Sequence, residues 1–135
     1  MKLTREARQG LIDSIAAWEG KKKAKNPHAV GISSIHCPLC AIFLYRTSLM
    51  SPQYLWQDRY GHHERSDHGQ PYRCFGCPIS HTTGKELCEG SPWRKAKQRL
   101  VVWQNYPYLT PPRAAFRRAC TKMIRFMQKI LEDAE

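Results

Sequence analysis

Four of the six cysteines fall into two Cys-x-x-Cys pairs, Cys37 and Cys40 in a His-Cys-Pro-Leu-Cys context and Cys74 and Cys77 in a Cys-Phe-Gly-Cys-Pro context. Two intervening residues let a tight turn aim both sulfurs at one ion. Two such turns then close a tetrahedral thiolate shell of the kind that holds structural zinc. The pairs predict one zinc ion per chain on Cys37, Cys40, Cys74 and Cys77. The 33 residues between Cys40 and Cys74 exceed the roughly 15 to 20 of a four-cysteine finger, so a large inserted loop is expected. Cys88, His81 and His36 are alternate ligands by position. Four thiolates also suit an iron–sulfur cluster, and the cysteine pattern leaves the choice of metal open. Neither pair sits in a βαβ pattern, which argues against thioredoxin-like redox chemistry. Cys120 stands apart, on an apolar stripe, and reads as a buried thiol that packs as a small hydrophobe.

The inserted loop brings a second set of chemically capable residues, His62, His63, Glu64, Asp67 and His68. One histidine acting as a general base for water, with an Asp/His set holding a divalent ion on the scissile phosphate, would make a phosphodiesterase. The favoured reading is a solvated histidine-rich loop, with the histidines as further zinc ligands in between. No Gly-rich phosphate loop, Ser/His/Asp order or dinucleotide fingerprint occurs elsewhere, so an enzyme reading depends on this loop alone.

Charge supplies the third signal. Lys and Arg number 22 against 11 acidic residues, a formal net charge of +11, which favours polyanionic partners, nucleic acid first. Between Glu89 and Glu132 there is no acidic residue, whereas Arg94, Lys95, Lys97, Arg99, Arg113, Arg117, Arg118, Lys122, Arg125 and Lys129 are all basic. On the last helix Arg118, Lys122, Arg125 and Lys129 recur at spacings of four, three and four. They share a face and repel one another unless an anion lies over them. Phosphate tracking by Arg94, Lys95, Arg99, Arg118, Lys122, Arg125 and Lys129 is therefore expected. A solvated basic face and an acidic protein partner are the competing readings.

These residues need elements to hold them. Leu3, Ala7, Leu11, Ile15 and Trp18 recur at spacings of three and four, with Thr4 as a cap, and predict an N-terminal amphipathic helix over residues 1–20. Residues 21–29, with four lysines and Pro27, read as a basic linker. Residues 30–92 read as a loop-rich metal module, in which Ala41 to Tyr45 suits either a strand or one helical turn. Ser91 and Pro92 signal a helix start, and Trp93, Ala96, Leu100 and Trp103 then share a face. Pro107 ends that helix near Tyr106. Thr110, Pro111 and Pro112 open another, whose Phe116, Cys120, Met123, Met127 and Ile130 form a stripe. At 135 residues the chain supports one folding unit. The expected fold is mainly α with a zinc-organised module, a small α+β arrangement being the alternative, and with two basic helices over residues 93–135. Charged residues interrupt the apolar positions of the first helix, so neither a signal-peptide core nor a membrane span is expected, and the expected location is cytoplasmic.

The Ala-Trp-Glu ending of the first helix, the Cys37-Pro38-Leu39-Cys40 pair, the Cys-x-Gly-Cys-Pro-Ile element from Cys74 to Ile79, then Thr83, Gly84, Cys88 and Ser91-Pro92-Trp93 resemble a family of small cysteine-rich bacteriophage proteins. Ala114, Ala115, Phe116 and Met123 of the last helix fit as well. The resemblance covers most of the chain. It implies a metal module and a host bacterial cytoplasm, without a reaction. The longer spacer and Ser91 in place of a more usual Thr depart from that pattern. In the spacer, the histidine set between two cysteine pairs resembles the active-site box of endonuclease VII-like ββα-metal (HNH) nucleases, implying His62, His63, Asp67 and His68 as catalytic residues. Pro78 stands where that family has Asn. Three functions are thus carried forward: a zinc-binding nucleic-acid binder, a host-directed factor (host takeover or anti-defence) that grips a host protein, and a metal-dependent nuclease.

Overall fold

The computed structural model describes residues 2–32, 36–45, 77–85 and 88–134. Among them the chain is mainly helical and contains no strand. Helix α1 (Arg5–Lys22) starts at Thr4, whose Oγ1 accepts a hydrogen bond from the Ala7 N–H at 3.0 Å. A single 3₁₀ turn (Pro27–Ala29) follows. The short α2 (Pro38–Cys40) runs directly into a π-helical turn (Ala41–Tyr45), so that segment is helical and not a strand. Next come α3 (Pro78–Thr83), α4 (Trp93–Asn105) and α5 (Thr110–Asp133).

The core is built from the two ends of the described chain. Helix α5 turns Phe116, Ala119, Cys120, Met123, Ile124, Met127 and Ile130 inward, and α1 and α4 both pack on it. From α1 come Leu3, just ahead of it, and Ala7, Leu11 and Trp18; from α4, Ala96, Leu100 and Trp103. The stripes expected at both ends of the sequence are therefore the buried ones, except that Ile15 and Trp93 are half-buried. Gly10 and Ser14 are also buried, because α2 approaches α1 closely there. A Cβ at residue 10 would meet Leu39 Cδ2 at 2.8 Å and Ile42 Cδ1 at 3.0 Å. We expect Gly10→Val to lose about 1–3 kcal/mol by overpacking, even though glycine itself costs about 1 kcal/mol inside a helix. Thermal melts would detect it, and an unchanged or raised Tm would show that Leu39 and Ile42 yield freely.

Two local expectations change. The basic linker is not simply a solvated tether: α1 continues to Lys22, Pro27 and Val30 are buried, and the Gln104 side-chain amide donates to the Pro27 carbonyl at 3.2 Å. Tertiary burial of two apolar residues overrides the polar composition there. Helix α4 begins at Trp93, one residue later than the Ser-Pro signal implied. Pro92 is the boundary residue, and the Ser91 hydroxyl accepts from the Trp93 N–H at 3.3 Å while donating to the Cys88 carbonyl at 2.6 Å. Trp93 is half-buried, and its indole N–H donates to the Ile32 carbonyl at 2.8 Å, tying α4 to the segment before the first cysteine pair.

Candidate functional site

Helices α4 and α5 are joined by only four residues, 106–109, a length that makes neighbouring helices antiparallel. The first half of α4 consequently lies against the middle of α5. Between them is a groove of about 190 Å³ lined by Lys95, Arg99, Arg118 and Lys122, with Ala115 and Ala119 also in its walls. The two alanines leave room where larger side chains would fill the groove. Lys95, Arg118 and Lys122 are exposed and Arg99 is half-buried. Four cations meeting in one groove, with no acidic residue between Glu89 and Glu132 in the sequence, present a concentrated positive field.

The sequence placed Arg118, Lys122, Arg125 and Lys129 on one face of the last helix and joined Arg94, Lys95 and Arg99 to them as phosphate contacts without saying which of the seven meet. The fold regroups them. Arg118 and Lys122 join Lys95 and Arg99 in the groove, whereas Arg94, Arg125 and Lys129 are exposed outside its lining. Lys129 Nζ instead pairs with Asp133 at 3.3 Å, an exposed i,i+4 contact of small energetic weight. The signal that would have found this grouping is the short connection: antiparallel register places residues at similar distances from the turn side by side.

The cysteines form a second feature. Cys37, Cys40 and Cys88 line one cavity of about 250 Å³, together with His36, Ser14 and Lys21. The His36 ring occupies the space that a Cβ on residue 31 would take, so Gly31 makes its position possible. Cys37 and Cys77 share a local geometry: each precedes a proline that opens a short helix. The Cys37 carbonyl accepts from the Ala41 N–H at 3.1 Å and that of Cys77 from the His81 N–H at 2.9 Å. The Cys37 thiol is lowered to about 6 by a hydrogen bond from the Cys40 side chain. Burial opposes this shift, and the backbone N–H groups of Cys40 and Leu39 reinforce it. The Ser14 hydroxyl also favours the thiolate, although it is buried without a well-formed hydrogen bond of its own. Burial lowers Lys21 from its usual value, while the nearby Cys37 opposes that shift. Lys21 lies 5.0 Å from the Trp18 ring centroid and Lys97 lies 5.2 Å from that of Trp93, all four residues being on the cavity wall. By contrast, burial pushes the Cys120 thiol up to about 12, as suits an inert core residue.

Cys88, an alternate ligand by sequence, lines the same cavity as Cys37 and Cys40. It adopts φ 62°, a left-handed conformation that side chains rarely take and that costs on the order of 1 kcal/mol. Gly90 (φ 81°) shares the turn, and the Cys88 carbonyl is held by both the backbone and the hydroxyl of Ser91. Cys77 is buried in the apolar core outside the cavity lining, and His81 is exposed on α3. Among the described residues no three His, Cys, Asp or Glu side chains are grouped closely enough to hold a metal, and no cysteine is in a disulfide. Cys74, His62, His63, Asp67 and His68 lie outside the described residues. No helix among the described residues is long and apolar enough to cross a membrane.

No protein-family model matches the chain, and no curated protein or solved structure does.

Proposed function

We propose that this protein binds nucleic acid by seating the sugar-phosphate backbone in the α4–α5 groove, with little sequence preference. The observation that carries this reading is the convergence of Lys95, Arg99, Arg118 and Lys122 from two helices onto one groove. Phosphates neutralised there release counterions, so binding must weaken steeply with salt. A salt series with labelled DNA and RNA of mixed sequence tests it. The expected result is affinity that varies little with sequence and falls log-linearly with salt. Absence of binding near physiological salt to either probe would turn the groove over to an acidic protein partner, the host-directed reading. The resemblance to phage cysteine-rich proteins is compatible with action in an infected bacterial cytoplasm under either outcome.

The cysteines serve this function as structure. Thiols on one wall, one of them already lowered to about 6, are donors suited to zinc. In the proposed site Cys37, Cys40, Cys74 and Cys77 are the four ligands, and Cys88, which lines the same cavity as Cys37 and Cys40, is the alternate. Zinc there would cross-link α2 and the α3 segment, neither of which lines the basic groove. Elemental analysis is expected to find one zinc per chain, retained in Cys88→Ser and lost in Cys37→Ser, which should loosen the fold as a chelator loosens the parent. Loss of zinc in the Cys88 variant would move Cys88 into the shell, and iron in the parent would replace zinc altogether.

A further inference from the structure

Among the described residues six large apolar side chains are exposed, and five of them, Val101, Val102, Tyr106, Tyr108 and Leu109, fall within nine consecutive residues at the end of α4 and in the connection to α5. Tyr106 is 57% exposed and Tyr108 97%. An exposed apolar cluster of this kind marks a contact surface. Its placement relative to the basic groove says what kind. Lys95, Arg99, Val102 and Tyr106 are spaced four, three and four along α4, which brings them back to nearly the same side of a 3.6-residue helix. Tyr106 follows the last residue of α4, but its N–H still bonds to the Val102 and Trp103 carbonyls at 3.1 and 3.2 Å, so it stays on the helical path. The chain then reverses at Pro107, where the Leu109 N–H donates to the Tyr106 carbonyl at 3.1 Å, and Tyr108 stands at the apex.

We infer that the groove binds single-stranded nucleic acid in preference to duplex, with Tyr106 and Tyr108 acting as a platform on which unpaired bases stack. This inference rests on the nucleic-acid reading of the groove. Arg99 and Tyr106 are about 10 Å apart along the helix axis at 1.5 Å per residue. That is the length of roughly three stacked nucleotides at 3.4 Å each. A strand with its phosphates over Arg99 and Arg118 therefore reaches the tyrosines within a few residues. Only a strand whose bases are not already paired and stacked can offer their faces to the rings, whereas the groove's charge serves either form. Positive groove and exposed aromatic rings together are the two parts from which sequence-tolerant single-strand binding is made.

The test measures binding of the full-length chain to a labelled mixed-sequence single strand and to its duplex by fluorescence anisotropy at several salt concentrations. The parent is expected to favour the single strand by about tenfold or more. Tyr106→Ala with Tyr108→Ala should reduce single-strand affinity by about tenfold per ring, leave duplex affinity and the salt slope unchanged, and be rescued by the corresponding Phe pair. Equal affinity for both probes in the parent, with no loss in the Ala pair, overturns this inference while the nucleic-acid reading stands. Failure to bind either probe overturns both. A concentration-dependent dimer that the Ala pair abolishes, with single-strand affinity intact, assigns the cluster to a second copy of this chain and also overturns it.

Discussion

Replacing Lys95, Arg99, Arg118 and Lys122 together with Gln is expected to cut nucleic-acid affinity by roughly two to three orders of magnitude at low salt, and to flatten the slope of log K against log salt by about three units. The flattening is the more diagnostic result, because it counts phosphates no longer neutralised and is insensitive to a general loss of active protein. The four side chains are on the surface or half-buried, and Gln has nearly the helix propensity of Lys and Arg, so circular dichroism should be unchanged. A parallel Arg125→Gln, Lys129→Gln variant should lose much less, since neither residue lines the groove and Lys129 is already paired with Asp133. If the quadruple variant binds with the parent's affinity and salt slope, the groove is not the phosphate site.

Trp103→Ala should be the most damaging single change to stability, costing about 3–5 kcal/mol by cavity formation and lowering Tm by on the order of 10 °C. Trp103 is 1% exposed and stacks obliquely on Phe116, with ring centroids 5.5 Å apart and 30° between planes. It fills the interface of α4 and α5, the same two helices whose outer faces form the groove. The Arg113 guanidinium carbon lies 5.9 Å from its ring centroid. Trp103→Phe separates two contributions: the indole N–H is buried without a hydrogen-bond partner, so its removal relieves a desolvation cost and offsets part of the lost volume. We expect that variant to lose no more than about 1–2 kcal/mol. Denaturant melts of the pair check both values, and a loss below about 1 kcal/mol for the Ala variant would mean that the hairpin repacks around the gap.

Much of the helical frame was legible because its signals are periodic and long. The Met, Phe and Cys stripe of α5 runs over enough turns to exclude other readings, and Thr4 and the Pro111-Pro112 start mark their helix ends by local chemistry alone. The short elements were not legible, since Ala41 to Tyr45 is too brief for a period to form. The basic residues of the groove were legible, but not which of them meet. A helix face can be read from one segment's spacing, but Lys95 and Lys122 become neighbours only through the register of two helices. The place of Cys88 on the cavity wall was hidden for a different reason. Its left-handed backbone is a property of the turn through Gly90 and Ser91, which Cys-x-x-Cys counting does not see.

The packing of α1 on α5 has a consequence for synthesis on the ribosome. Roughly 90 residues separate the end of α1 from the start of its principal partner, so at 5–20 residues per second the first helix must wait on the order of 5 to 20 s before the surface that shelters Leu11 and Trp18 has been made. During that interval its apolar face is available to chaperones or to neighbouring nascent chains, and the final tertiary fold can close only after the last helix has left the exit tunnel.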